Sequence, residues 1–228
     1  MVMRDTPARS VDGEIFRPGG AASAFVRVVE TSSGPAVRKD FSRSSALVRF
    51  TVGVLMARRE ARAYARLGGV AGVPQLLARP AADALLLERI EGFPCAAPHA
   101  GAVTQVFFDD LDALLVRLRS RGVLHGDVKR NVLVTPAGGA ALVDFGASFV
   151  VPAWAGPLGR RLVALAALYD ERSIARLKAR VVPDLLTPRE RVLVDTVMPF
   201  ERGVKVGERL LRRAGRLVGA GDAARTSP

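Results

Sequence analysis

The alternation of apolar and polar residues predicts short strands in the first part of the chain. Residues 25–29 and 36–39 read as two strands, and the turn residues at 32–35, which include a Gly-Pro pair, join them into a hairpin. Two further strand-like runs follow at residues 75–77 and 84–87. This part of the chain is therefore predicted to be rich in β-structure.

Helical spacing of apolar residues predicts two long helices. The first covers residues 52–67 and is ended by two glycines, and Glu60 falls on its apolar face. The apolar residues of that face are Val52, Met56, Ala63 and Leu67. The second helix covers residues 103–121 and stops at Gly122. Its apolar positions recur mostly every three or four residues, at Val103, Val106, Phe107, Leu111, Leu114, Leu115 and Leu118.

The rest of the chain combines one hairpin with helices. Strands at residues 131–135 and 140–144 flank a turn at residues 136–139. Helices are predicted over three stretches: residues 158–169, residues 171–180 and a helix that begins at Thr187. In the last of these, Thr187 and Glu190 have the spacing of a capping box, with proline at the first helical position.

The order of these elements predicts an α+β protein with two lobes. Strands come first and helices second, apart from the later hairpin, and the sequence Glu-Gly-Phe-Pro at residues 91–94 breaks the pattern between them. We therefore expect a small β-rich N-lobe with one helix over residues 1–92. A mainly helical C-lobe would cover residues 93–228.

Composition narrows the class of protein. The chain has 228 residues, of which 49% are hydrophobic and 25% are charged, as in an ordinary globular protein. One cysteine cannot form an intrachain disulfide, and two histidines with one cysteine are too few for a zinc or haem cluster. The polar N-terminus and the short apolar runs predict neither a signal peptide nor a transmembrane segment, so we expect a cytoplasmic protein.

The chain is strongly basic. Its formal net charge is +12 and its pI is near 11.2, which favours contact with polyanions such as RNA or an anionic membrane at the inner face of the cell. Only 6% of the residues are aromatic, too few for a stacking platform of the kind that binds single strands. A basic amphipathic segment at residues 204–218 could lie on such a membrane or pack onto the helical lobe. The charge could also serve solubility alone.

The densest chemical signal is the string His-Gly-Asp-Val-Lys-Arg-Asn at residues 125–131, followed by Asp-Phe-Gly at residues 144–146. It resembles the catalytic loop and the metal-binding motif of the protein-kinase-like superfamily. The His-Gly-Asp variant is closest to small atypical branches: RIO kinases, bacterial lipopolysaccharide-core kinases and aminoglycoside phosphotransferases. The resemblance covers residues 18–148 and implies a two-lobed protein-kinase-like fold with a reduced C-lobe.

The resemblance implies a role for each polar residue of these motifs, with ATP and Mg²⁺ as cofactors. Asp127 would be the catalytic base, and Lys129 would steady the phosphate that is transferred. Asp144 and Asn131 would be the metal ligands. Asn131 follows Asp127 by four residues, whereas the family pattern has five, so the catalytic loop is one residue shorter and Asp127 could be displaced.

The nucleotide-binding residues are expected in the first lobe. Lys39 occupies the place of the strand lysine that binds the α- and β-phosphates. An acid on an apolar helix face needs a cationic partner, and Lys39 is the natural one for Glu60. The best match to the glycine-rich phosphate loop begins at Gly19, Gly20 and Ala21, where alanines replace two of the family's glycines.

Three functions remain open from the sequence. The first is an active atypical kinase whose acceptor is a serine or threonine of a protein or, alternatively, a sugar hydroxyl of a lipopolysaccharide precursor. The second is a pseudokinase that binds nucleotide without transfer, because its catalytic loop is short. The third is an RNA- or ribosome-associated factor that uses its positive charge.

Overall fold

A computed structural model of the chain describes residues 14–20, 23–96 and 103–195. Its first part is an antiparallel sheet with the strand order β1-β2-β3-β5-β4. The strands are β1 (Ile15–Gly20), β2 (Ser23–Thr31), β3 (Gly34–Asp40), β4 (Leu76–Ala81) and β5 (Ala84–Glu88). The predicted hairpin is β2 with β3, and the two later runs are β4 and β5. The sequence pattern did not predict β1, whose residues are largely exposed and include Pro18 and Gly19.

The helix between β3 and β4 is not regular along its length. It begins as α1 (Ala46–Val48), continues through a π-helical turn (Arg49–Gly53) and becomes α2 (Val54–Arg66). The predicted apolar face is wrong at its start, because Val52 is 43% exposed while Glu60 and Ala63 are buried. Val52 lies in the π-turn, which holds more residues than an α-turn and so changes the face of its residues relative to those of α2.

Eight strands and α-helices are described in the second part of the chain, besides short 3-10 turns. They are β6 (Phe93–Pro94), α3 (Gln105–Ser120), β7 (Val123–Leu124), β8 (Val132–Val134), β9 (Ala140–Leu142), β10 (Phe149–Val150), α4 (Gly156–Val181) and α5 (Pro188–Asp195). Strands β6, β8 and β9 form one small sheet, and β7 pairs with β10. The predicted hairpin after the Asp127 loop is therefore present as β8 and β9.

Helix α3 lies at the centre of the core. Thr104 accepts a hydrogen bond from the backbone N–H of Phe107 and caps its start. Six of its side chains are buried: Phe107, Phe108, Leu111, Leu114, Leu115 and Leu118. Five of them were predicted from the apolar spacing and Phe108 was not, whereas Val106, which was predicted, is 75% exposed. The prediction of this helix is confirmed, with Val106 and Val116 on its outer side.

The last two helices differ in part from the prediction. Residues 158–169 and 171–180 belong to one helix, α4, because Asp170 is buried against Arg119, 2.5 Å away, and does not interrupt it. The capping box of α5 is confirmed: Thr187 N–H donates to Glu190 Oε2 (2.8 Å), and Glu190 N–H donates to Thr187 Oγ1 (3.2 Å). The basic segment at residues 204–218 lies outside the described residues.

The architecture is the predicted α+β class, with a small β-rich lobe that carries one main helix and a mainly helical second lobe. The exact division between residues 1–92 and 93–228 stays a prediction. None of the helices in the described ranges is long and apolar enough to cross a membrane.

Candidate active site

One buried ion cluster joins both lobes. The Nζ atom of Lys39, on β3, lies 2.7 Å from Glu60 Oε2 on α2 and 2.6 Å from Asp144 Oδ1 after β9. Lys39 and Glu60 are 8% and 2% exposed, so little solvent reaches their contact. The pattern of α2 predicted that Glu60 would face Lys39, and the structure places the two side chains together. Asp144, from the Asp-Phe-Gly motif, completes the cluster.

The cluster controls the ionisation of its own members. Burial alone would lower the pKa of Lys39, but the carboxylates of Glu60 and Asp144 outweigh burial and raise it. Burial likewise acts to raise the pKa of Asp144, but Lys39, Arg17 and a backbone N–H outweigh it and hold that pKa well below its usual range. Burial raises the pKa of Glu60 in spite of the nearby lysine. Lys39 and Asp144 are therefore charged at neutral pH.

Asp144 has an unusual backbone conformation. Its φ is 59° and its ψ is 74°, and it is the single non-glycine residue with positive φ in the described part of the chain. Its Oδ1 also accepts a hydrogen bond from the N–H of Gly146 (3.3 Å). A left-handed aspartate is strained by about 1–3 kcal/mol, and such strain concentrates at functional sites. Here it accompanies a carboxylate that reaches Lys39.

A neutral histidine fixes the loop that carries Asp127. His125 is buried, its Nε2 lies 3.1 Å from the carbonyl oxygen of Val143, and its Nδ1 accepts a hydrogen bond from the N–H of Asp127 (3.3 Å). Because Nδ1 is the acceptor, the proton belongs on Nε2, which donates to Val143. Burial lowers the pKa of His125 to about 4. The imidazole therefore holds the Asp127 backbone without adding charge.

The segment after Asp127, which is one residue shorter than the family pattern, closes as a 3-10 turn over Val128–Arg130. Asn131 follows it directly and donates a hydrogen bond from Nδ2 to the carbonyl oxygen of Asp127 (2.8 Å). The carbonyl of Asn131 in turn accepts from the N–H of Val143 (3.0 Å). Lys129 lies on the outer side of the turn and is exposed. The tighter turn accommodates the missing residue and keeps Asn131 beside Asp127.

The oxygen donors near this hairpin suit Mg²⁺. Asn131 precedes β8, Asp144 follows β9, and the pairing of Val132 with Leu142 brings both to the same end of the hairpin. The amide nitrogen of Asn131 is already used, so its oxygen is the atom available to a metal. Among the described residues, no group of three or more His, Cys, Asp or Glu forms a metal cluster. Two oxygen-bearing side chains completed by phosphates and water are typical of nucleotide-bound Mg²⁺.

The predicted phosphate loop lies at the turn between β1 and β2. Gly19 has a φ of +79°, and Gly20 pairs with Ser23 across the turn. Ser44 Oγ donates to the carbonyl oxygen of Gly20 (3.0 Å), which ties the turn to the segment after β3. Ala21 lies outside the described residues.

Two contacts of the site were not predicted from the sequence. Arg17, on β1, donates from Nη2 to Asp144 Oδ2 (3.0 Å). Arg59, next to Glu60 on α2, donates from Nη2 to the carbonyl oxygen of Ala147 (3.0 Å) and from Nε to that of Ser148 (2.6 Å). The second contact carries no sequence signal, because its acceptors are backbone atoms. The first carries no sequence signal either, because β1 was not predicted and Asp144 lies 127 residues away.

Aromatic rings also connect α2 to the loop that carries Asp127. The ring of Phe145 lies between those of Tyr64 and His125, with centroid distances of 5.0 Å and 4.6 Å. All three rings are almost fully buried. Phe145 therefore packs as a core residue immediately after Asp144 and holds that residue in place.

These elements and their arrangement are those of the two-lobed protein-kinase-like fold. The crystal structure of the Rio2 kinase from Chaetomium thermophilum aligns with 84% of this chain and 64% of its own, with a TM-score of 0.56 and 18% identity. The Rio2 kinase-ADP/Mg²⁺-phosphoaspartate complex from the same organism aligns with 84% of this chain and 59% of its own, with a TM-score of 0.58 and 17% identity. No family model and no curated protein matches the sequence.

At these identities the likeness establishes the fold alone. The chain spans less than two thirds of the length of either Rio2 chain. Activity, substrate and partners must therefore be argued from the site of this protein.

Gly126, between His125 and Asp127, occupies a position where a side chain does not fit. Its φ is +82°, and a Cβ atom there would lie 2.6 Å from the carbonyl oxygen of Ala147. Gly138 has almost the same φ, +80°, with no atom within 4 Å of its Cβ position. The two glycines therefore share the same backbone conformation, but only Gly126 has the backbone of Ala147 close to it.

We expect Gly126→Ala to lower the free energy of unfolding by at least about 2 kcal/mol more than Gly138→Ala. Both variants carry the backbone strain of a left-handed alanine, about 1–2 kcal/mol, but only the first must also displace Ala147. Urea unfolding of the two variants and the parent measures the difference. Equal losses in the two variants would show that the contact with Ala147 relaxes freely.

The imidazole of His125 should stay neutral down to about pH 4. In a His99→Gln background it is the single histidine, so NMR of its ring protons against pH reports it alone. We expect a midpoint near 4 in the folded protein and near 6.5 in urea. A folded-state midpoint near 6.5 would contradict the buried, hydrogen-bonded geometry.

The lowered pKa of His125 also makes the free energy of unfolding depend on pH. Between about pH 6.5 and pH 4 the unfolded state binds the proton and the folded state does not, so His125 destabilises the fold progressively as pH falls, by about 3 kcal/mol in total. Asp170 acts in the opposite direction, because burial raises its pKa to about 6. The site-specific titration is therefore a sharper test than total stability.

Proposed function

We propose that the protein is an ATP-dependent phosphotransferase that moves the γ-phosphate to a hydroxyl group. The observation that carries the proposal is the contact of Lys39 with both Glu60 and Asp144, beside a loop that presents Asp127. A lysine held by a buried acid, oxygen donors for a metal and a carboxylate on a fixed loop are what phosphoryl transfer requires. The kinase-like fold supports the same assignment.

Each residue would have a separate task. Lys39 would bind the α- and β-phosphates, and Glu60 would hold it in place by its short contact of 2.7 Å. Asp144 and Asn131 would bind Mg²⁺, which supplies charge neutralisation at the phosphates when it is bound. The backbone N–H groups at Gly19 and Gly20 would face the phosphate chain.

Asp127 would orient the acceptor hydroxyl and take its proton. Its side chain is 29% exposed, with Arg130 Nη1 3.9 Å from Oδ2, and its backbone is tied to His125 and Asn131. A fixed backbone with an accessible side chain suits a catalytic base. Lys129, exposed on the same turn, would steady the phosphate during transfer.

A protein serine or threonine is the acceptor we favour, because Lys129 stands where serine/threonine protein kinases place a lysine. A sugar hydroxyl of a lipopolysaccharide precursor is the alternative acceptor. The shortened loop over Val128–Arg130 favours a second function, a pseudokinase that binds nucleotide without transfer. We also propose that the basic surface contacts RNA or an anionic membrane. A cytoplasmic location is likewise a proposal.

We expect Asp127→Asn to abolish transfer and to leave nucleotide binding unchanged. General-base catalysis contributes on the order of 100- to 10,000-fold, so transfer of labelled phosphate from ATP with Mg²⁺ should fall by at least about 100-fold. Asp109→Asn, an exposed aspartate on α3, is the matched control and should not affect transfer. Transfer by Asp127→Asn at the parent rate would refute the role of Asp127. Nucleotide binding by a parent that transfers to no acceptor would support the pseudokinase.

Lys39→Met should lower both stability and nucleotide affinity, and a second substitution separates the two effects. The single variant leaves Glu60 buried without its cation, which costs about 3–5 kcal/mol. In the double variant Lys39→Met with Glu60→Leu, that buried acid is gone and Asp144 keeps its contact with Arg17 (3.0 Å), so much of the stability should return. Nucleotide binding, measured by calorimetry, should not return. Recovery of both would mean that Lys39 is only structural.

A further inference from the structure

Arg17 and Lys39 lie on the same face of the first sheet. In the register of the strands, Arg17 on β1 is opposite Val26 on β2, and Val26 is opposite Lys39 on β3. Side chains directly opposite each other across neighbouring strands point to the same face. Two cations therefore stand on one row of the sheet, two strands apart, with an apolar residue between them.

Both cations reach the same carboxylate. Lys39 Nζ contacts Oδ1 of Asp144 at 2.6 Å, and Arg17 Nη2 contacts Oδ2 at 3.0 Å. The two contacts differ in burial, since the side chain of Lys39 is 10% exposed and that of Arg17 is 47% exposed. Lys39 also contacts Glu60, whereas Asp144 is the one carboxylate that Arg17 contacts among the described residues.

The strand that carries Arg17 is held in position close to the phosphate turn. Arg43 donates to the carbonyl oxygen of Pro18 (3.2 Å) and its guanidinium lies 3.8 Å from the ring centroid of Phe25. Ser44 fixes the carbonyl of Gly20. Arg17 therefore lies on a strand that these contacts hold in place, two residues before Gly19.

We propose that Arg17 is a phosphate ligand of the bound nucleotide and that Asp144 positions it before binding. The inference rests on the proposed function, in which Asp144 and the phosphates share one metal ion. Phosphate oxygens held by that metal would lie close to the Asp144 carboxylate. A guanidinium that already touches the carboxylate can reach them by rotation of its side chain.

The strengths of the two contacts favour a role for Arg17 as a phosphate ligand over a role in which it competes with the metal for Asp144. An exposed ion pair such as Arg17 with Asp144 changes an equilibrium by no more than about fivefold, so its loss opposes metal binding only weakly. An arginine fork on a phosphate is charge-assisted and can be bidentate, and is therefore the stronger contact. Arg17 would add side-chain donors to a turn in which alanines replace two of the family's glycines.

The test compares ligands that differ in their phosphates. Binding of adenosine and of a non-hydrolysable ATP analogue is measured by calorimetry, with Mg²⁺ and with EDTA, for the parent, Arg17→Ala, Arg17→Lys and Arg89→Ala. Arg89 is a matched control, because it is also a partly exposed arginine paired with a carboxylate at the start of β1, that of Glu14 (3.3 Å). Circular dichroism confirms that each variant is folded.

We expect Arg17→Ala to weaken the ATP analogue by about tenfold in both conditions and to leave adenosine within about twofold of the parent. The affinity of Arg17→Lys for the ATP analogue should lie between those of the parent and of Arg17→Ala. The affinity of Arg89→Ala should match that of the parent. An unchanged or tighter affinity of Arg17→Ala for the analogue would overturn the proposal while leaving the proposed function intact. A parent that binds neither ligand would overturn both.

Discussion

The contact between one lysine and two carboxylates is the constraint on which the rest of the structure depends. Lys39 comes from a strand, Glu60 from a helix and Asp144 from the end of a later hairpin, and the cluster is mostly screened from solvent. A buried carboxylate without its cation would cost several kcal/mol, so the sheet, α2 and the hairpin must take the positions that bring these atoms together. The left-handed backbone of Asp144 is tolerated for the same reason.

A second set of contacts ties the Asp127 loop to this cluster. Both backbone groups of Val143, the residue before Asp144, are used: its carbonyl accepts from His125 and its N–H donates to Asn131. Displacement of the loop would therefore break hydrogen bonds on both sides of one residue. The shortened loop keeps this arrangement because a 3-10 turn needs fewer residues than a wider one.

The sequence predicted those parts of the molecule that depend on local spacing. The β2–β3 hairpin, helix α3 and the capping box at Thr187 each follow from a few neighbouring residues, and the position of Glu60 follows from helical periodicity. The parts that it did not predict depend on tertiary contacts. A π-turn changed the face of Val52, and burial of Asp170 joined two predicted helices into one. The partner of Arg17 comes from a hairpin 127 residues away.

The position of Arg59 next to Glu60 has a mechanical consequence. Adjacent residues of α2 hold different parts of the site: one binds the lysine of the sheet, and the other binds two carbonyl oxygens just after Asp144. Successive residues of a helix are separated by about 100° around its axis, so the two contacts hold α2 from two directions. Movement of this helix away from the site would therefore stretch its contact with the sheet and its contact with the segment after Asp144 together.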